Sequence, residues 1–216
     1  MKKRLFLIAC LSSILLMSAP IFAYNENTEE YNQQKAVLIG ETGNKVFLEP
    51  VTESEPQVVA TTHNVSGEET TFFKEALYEI TPSSFGNAGS MQDIKWDGSR
   101  GLKAWVKIYY SYTNSGYLLN AVEVNWRKED PSLSLSNATI SAICHGINYY
   151  NGKAETSQDR IWYVSPGHIK KYTNFKNPIN GTAYGLVGGR SNIKITRGGS
   201  SWELYLPVNV YQSFGL

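Results

Sequence analysis

The chain is poor in the residues that most often carry chemistry: among 216 residues there are two cysteines and three histidines. Cys10 falls within an N-terminal apolar stretch, so a processed chain would keep Cys144 alone and form no internal disulfide. His63, His145 and His168 show no metal-ligand spacing and no HExxH motif, so neither a metal nor another cofactor is expected. Cys144 and His145 are neighbours in a predicted strand and point to opposite faces, which excludes that pair as a thiol-imidazole dyad. There is no G-x-S-x-G elbow, and the glycine-rich residues 185–190 lack the lysine and hydroxyl of a phosphate loop. Beyond the N-terminus no apolar run approaches the roughly 20 residues of a membrane span.

What is present begins with an export signal at residues 1–23. Lys2, Lys3 and Arg4 precede an apolar run from Leu5 to Met17, and Ile21-Phe22-Ala23 supplies a cleavage site. Leu7-Ile8-Ala9-Cys10 resembles a lipoprotein box, but only five residues separate Arg4 from Cys10, so lipidation is not the expected reading. Removing the signal takes three basic residues and no acid, turning the formal charge from +1 to −2. A nucleic-acid partner is therefore disfavoured. With no sorting motif near the C-terminus, the expectation is a secreted bacterial protein of Gram-positive type, free or loosely held at the wall.

Residues 24–34 are acidic and amide-rich, the composition of a flexible leader. Residues 35–71 read as short strands and linker, with a hairpin of 36–39 and 46–48 around Glu41-Thr42-Gly43-Asn44 and a further strand at 58–61. The main domain is expected over 72–216. Residues 72–80 fit a helical stripe almost as well as an alternation, and are taken as strand.

Two hairpins can be derived with their registers. Leu102, Ala104, Val106, Ile108, Tyr110 and Tyr112 alternate with polar or amphipathic residues, and after Asn114-Ser115-Gly116 the alternation resumes at Leu118, Val122, Val124 and Trp126. A three-residue loop pairs Tyr112 with Leu118, Ile108 with Val122, Val106 with Val124 and Ala104 with Trp126, while Lys107 faces Glu123 on the other side. The dipeptide Gly198-Gly199 closes a second hairpin in which Ile195 meets Trp202, Ile193 meets Leu204 and Lys194 meets Glu203. Pro207 places its strand at an edge or a bulge. Turn signals every 10 to 20 residues then predict an all-β protein, an antiparallel β-sandwich of Ig-like or jelly-roll-like type with eight to ten strands, or else a partly open β-barrel.

The candidate site follows from the first hairpin. Its non-core face carries Lys103, Trp105, Lys107 and Tyr109, joined by Asn125 and Arg127 from the partner strand, a set suited to stacking on sugars or cradling an anionic polymer. Lys103 opposite Arg127 is a repulsive pair that an anionic ligand or a nearby acid would relieve. The expected function is a non-enzymatic binding module for an envelope glycan or wall polymer. The alternatives are a secreted hydrolase, using two carboxylates or Cys144 with His168, and a toxin acting at a target membrane. Glu123, Glu129, Asp130, Glu155, Asp159 and Glu203 are available acids, but no spacing selects a pair. Asp93 and Asp97 offer only a weak calcium pattern. The oligomeric state has no sequence signature.

Overall fold

The structure is a computed structural model and describes residues 35–213 apart from 65–66, 89–100, 114–115, 149–152 and 181–184. The signal, Cys10, the leader, Asp93 and Asp97 lie outside the described residues. Among the described residues twelve strands and one short helix follow in order: β1 (Ala36–Gly40), β2 (Lys45–Leu48), β3 (Thr52–Glu53), β4 (Gln57–Asn64), β5 (Gly67–Ile80), α1 (Pro82–Ala88), β6 (Leu102–Thr113), β7 (Gly116–Lys128), β8 (Ser134–Asn148), β9 (Lys153–Val164), β10 (Ile169–Tyr172), β11 (Gly185–Arg197) and β12 (Ser200–Ser213). The count exceeds the expected eight to ten because β3 and β10 are fragments of two and four residues.

The strands form two antiparallel six-stranded sheets. One has the order β2-β1-β12-β11-β8-β9, and the other runs β10-β7-β6-β5-β3 with β4 also paired to β5. The sheets share no strand and do not close, so the protein is a β-sandwich and the barrel alternative is not formed. Residues 36–64, read from sequence as short strands and linker, are built into both sheets. β1 lies between β2 and β12, with Ala36 and Leu38 wholly buried.

Alternation explains the core. β6 buries Leu102, Ala104, Val106 and Ile108, β8 buries Ile140 and Ala142, and β12 buries Trp202, Leu204 and Leu206, each strand sending its other parity outward. The segment 72–80 is strand, as expected, with Ala76, Tyr78 and Ile80 inward. Helix α1 closes one end: Phe85 is fully buried against Trp202, ring centroids 4.9 Å apart, and the Trp202 indole N–H donates to the Phe85 carbonyl at 3.2 Å.

The second hairpin has the derived register throughout Ile193↔Leu204, Lys194↔Glu203 and Ile195↔Trp202. Gly198 and Gly199 both hold positive φ, 54° and 88°, the requirement of the two-residue turn whose twist matches its strands. Pro207 lies on a strand that is interior over residues 202–205, where β1 pairs with it. The β1 ladder ends at Tyr205, so Pro207 sits where β12 becomes an edge and its missing N–H leaves no gap.

The first hairpin holds the derived register from Lys103↔Arg127 to Tyr109↔Ala121 and then departs from it. A bulge shifts the pairing by one, so that Tyr112 meets Tyr117 rather than Leu118, and Leu119 rather than Leu118 enters the core. The extra residue is Asn120, whose side-chain amide donates to the Ser111 hydroxyl at 2.7 Å. Its carbonyl accepts from the Thr173 N–H at 2.9 Å, and the Thr173 hydroxyl donates to the Leu119 carbonyl. Thr173, just beyond β10, thus satisfies the backbone that the bulge would leave unpaired.

At Gly189 of β11 the two sheets pack closely across the core. A Cβ there would lie 2.8 Å from methyl carbons of both Ile108 and Val122, which are β-branched and cannot swing away. Gly189→Ala is therefore expected to destabilise the fold by about 1–3 kcal/mol in urea unfolding. The Gly189→Ala/Val122→Ala double variant should lose less than the two single losses together, which an effect confined to β11 would not produce.

Candidate functional site

The outer face of the second sheet is built by register. Across β10, β7, β6 and β5 one row reads Tyr172, Ala121, Tyr109, Phe73, and the next reads Lys170, Glu123, Lys107, Glu75. The following rows are Asn125, Trp105, Leu77 and then Arg127, Lys103, Glu79. All six residues expected from sequence, Lys103, Trp105, Lys107, Tyr109, Asn125 and Arg127, therefore share this face. Strand parity alone brings them together.

Their charges are neutralised within the protein. Lys103 pairs with Glu79 at 2.8 Å, Lys107 with Glu75 at 2.7 Å and Arg127 with Glu129 at 2.7 Å. The opposed Lys103 and Arg127 are thus relieved by two acids. Lys107 faces Glu123 in the register, but its ammonium turns to Glu75 on the other neighbouring strand.

Glu123 is taken up instead by Tyr109, one of the expected six, and by His168, which the sequence did not place on this face. The Tyr109 hydroxyl donates to one carboxylate oxygen at 2.7 Å, and the His168 Nε2 lies 2.5 Å from the other. Burial works against the charged carboxylate, yet the bonds from Tyr109 and His168 and the nearby Lys170 outweigh it and hold Glu123 below its usual range. The Tyr109 hydroxyl is pushed well above its ordinary value, first by burial and then by its bond to Glu123. His168 reaches this place through the loop from β9, where Gly167 holds a φ of 147°.

The rings are dressed by cations. The Lys170 ammonium stands 3.4 Å above the Tyr109 ring centroid and 5.6 Å from that of Tyr172, while Lys107 sits 4.4 Å over Phe73. His168 meets Trp105 edge-on at 5.4 Å. Tyr172 remains 64% exposed beside them. Phe73, Glu123, His168, Lys170 and Tyr172 thus belong to the same surface as the expected six. For Tyr172 and Lys170 the available signal was the alternation of β10, while for His168 no local pattern marks the contact.

The other candidate groups are placed apart. Cys144 is wholly buried in β8, and burial pushes its thiol up to about 11, the opposite of an activated nucleophile. His168 is engaged on the outer face of the opposite sheet. Asp130 is bound to Arg197 at 3.2 Å and accepts from the Ser132 N–H and hydroxyl, so it serves the β7–β8 connection. Among the described residues no group of three or more His, Cys, Asp or Glu side chains is arranged to hold a metal ion. Among the same residues no helix is long and apolar enough to cross a membrane, which says nothing of strands. No protein-family model, curated protein or solved structure matches the chain.

The Glu123 shift carries a pH dependence with a definite sign. A carboxyl whose folded pKa lies below its unfolded value of 4.5 stabilises the fold above that pH and loses the contribution as pH falls through the folded value. Carbon-detected NMR titration should show Glu123 titrating below 4.5. Chemical unfolding should show a smaller loss of stability on acidification in Glu123→Gln than in the parent. A Glu123 midpoint at or above 4.5 would contradict the hydrogen-bonded arrangement.

Proposed function

We propose that the protein is an exported, non-enzymatic binding module that takes an envelope or cell-wall glycan on the outer face of β6, β7 and β10. The export part of this reading rests on the signal-like residues 1–23. The ligand part rests on one observation: Trp105, Tyr109 and the exposed Tyr172 share a sheet face with Asn125, Glu123, His168 and Lys170, while Lys103, Lys107 and Arg127 have acidic partners. Rings offer apolar surface to the C–H faces of a sugar, and the neighbouring amide, carboxylate, imidazole and ammonium groups exchange hydrogen bonds with its hydroxyls.

The pairing supports one of the two ligand classes considered from sequence. An anionic polymer needs unpaired cations whose counterions it can release, and here Lys103, Lys107 and Arg127 each hold an acid. A neutral glycan needs no net field. The geometry favours the glycan over the anionic polymer.

The test is co-sedimentation of the protein with purified cell walls, intact and stripped of anionic polymers, at about 0.05 and about 0.5 M salt. Retention should survive both stripping and salt, and Trp105→Ala and Tyr172→Ala should each weaken it about tenfold with an unchanged far-UV spectrum. Retention that disappears with salt or with stripping would assign the ligand to an anionic polymer. No retention of the parent protein would end the reading.

A further inference from the structure

The sandwich has two sheets and therefore open edges, each a row of backbone groups able to pair with another chain. Three of the four flanks carry devices that discourage this. β2 is four residues long and begins with Lys45, and β10 is four residues long with Lys170 and Lys171. β9 is long but places Asp159 and Arg160 next to each other, and Arg160 opposes the buried Ala142, so its parity is that of the core face. At the fourth flank β3 is only two residues and includes Glu53.

β4, on that same flank, differs from all of them. It runs for eight residues, Gln-Val-Val-Ala-Thr-Thr-His-Asn, with no aspartate, glutamate, lysine, arginine, proline or glycine. Among the described residues it pairs with β5 alone, and residues 57–63 are exposed on both faces, Val58 by 60% and Val59 by 52%. Its bulge lies between Val58 and Ala60, which leaves Ala60 to Asn64 in regular register with β5. Four of its residues are β-branched, the type that suits a pleated ladder.

We propose that β4 is the contact through which two copies of this chain pair, antiparallel and about a two-fold axis near Thr61. In a two-fold contact a residue on the axis faces itself, and its neighbours face each other, Ala60 against Thr62. A formal charge on the axis would therefore face its own copy, and one just beside the axis would still lie close to it. The uncharged run avoids this penalty, whereas β9 centred on its own charges would not. Glu68 and Glu69 belong to β5, one strand further from the axis. The pairing joins the second sheets of two copies into one, and β7 and β10, at the other flank, stay uncovered.

The experiment uses the full chain carrying Cys10→Ser, so that buried Cys144 is the only native thiol. Sedimentation between about 1 and 100 μM should show a mass rising from one chain toward two, and Thr61→Lys should hold it at one chain with an unchanged far-UV spectrum. Under oxidation Thr61→Cys should give a covalent dimer, while Tyr163→Cys on the exposed face of β9 should not. A single-chain mass over the whole range overturns the proposal. So does a dimer that survives Thr61→Lys, or cross-linking through Tyr163→Cys in place of Thr61→Cys.

Discussion

The separation of the two sheets is set where Ile108 and Val122 rest on the bare backbone of Gly189. Everything on the outer surface inherits its position from that contact. With the β6–β7 pair pressed against β11, the even-numbered residues of β6 are committed to the interior, and Lys103, Trp105, Lys107 and Tyr109 have only the outer face left. A side chain larger than glycine would separate the layers and thin the packing of the surrounding aliphatic residues, because interiors at crystal-like density have no slack to absorb a methyl group.

The charge mosaic on the outer face adds little to stability through any one pair, since exposed ion pairs contribute only about 0–1 kcal/mol each. Its larger effect is on alignment. Glu75 against Lys107 and Glu79 against Lys103 reward one register of β5 on β6. A one-residue slip would turn these charges toward the core and send Ala76 and Tyr78 outward. The bulge at Asn120 plays a related part on the other side. By holding Asn120 and Leu119 through Thr173, it fixes the chain beyond β10 to β7, and β10 in turn carries Lys170 and Tyr172 onto the face.

Much of this was legible in the sequence, and the parts that were not have identifiable causes. Both hairpin registers followed from alternation because each has one buried face, where period two leaves little freedom. The shift near the tip of the first hairpin had a trace that a strict alternation overlooks: Asn120 falls on the core parity while Leu119 falls off it, as one extra residue would produce. Helix α1 also had a signal, Thr81 before Pro82, a capping hydroxyl followed by a proline suited to the first helical position, and Ser84 and Phe85 do bond back to the Thr81 carbonyl. The six outer-face residues were grouped correctly because parity is local. Their electrostatics were not, because Glu75 and Glu79 arrive from β5 and His168 from the loop before β10, neighbours that no local pattern reveals. The interior position of β1 was hidden for the same reason.

β12 lies between β11, its immediate predecessor in the chain, and β1, which comes from the other end of the described chain. The first sheet therefore cannot be assembled progressively as the polypeptide emerges. β11 can fold back on β12 through the glycine turn within a short span, but β1 and β2 have no permanent place until β12 exists. The order of strands thus delays completion of the first sheet until synthesis has passed Tyr205.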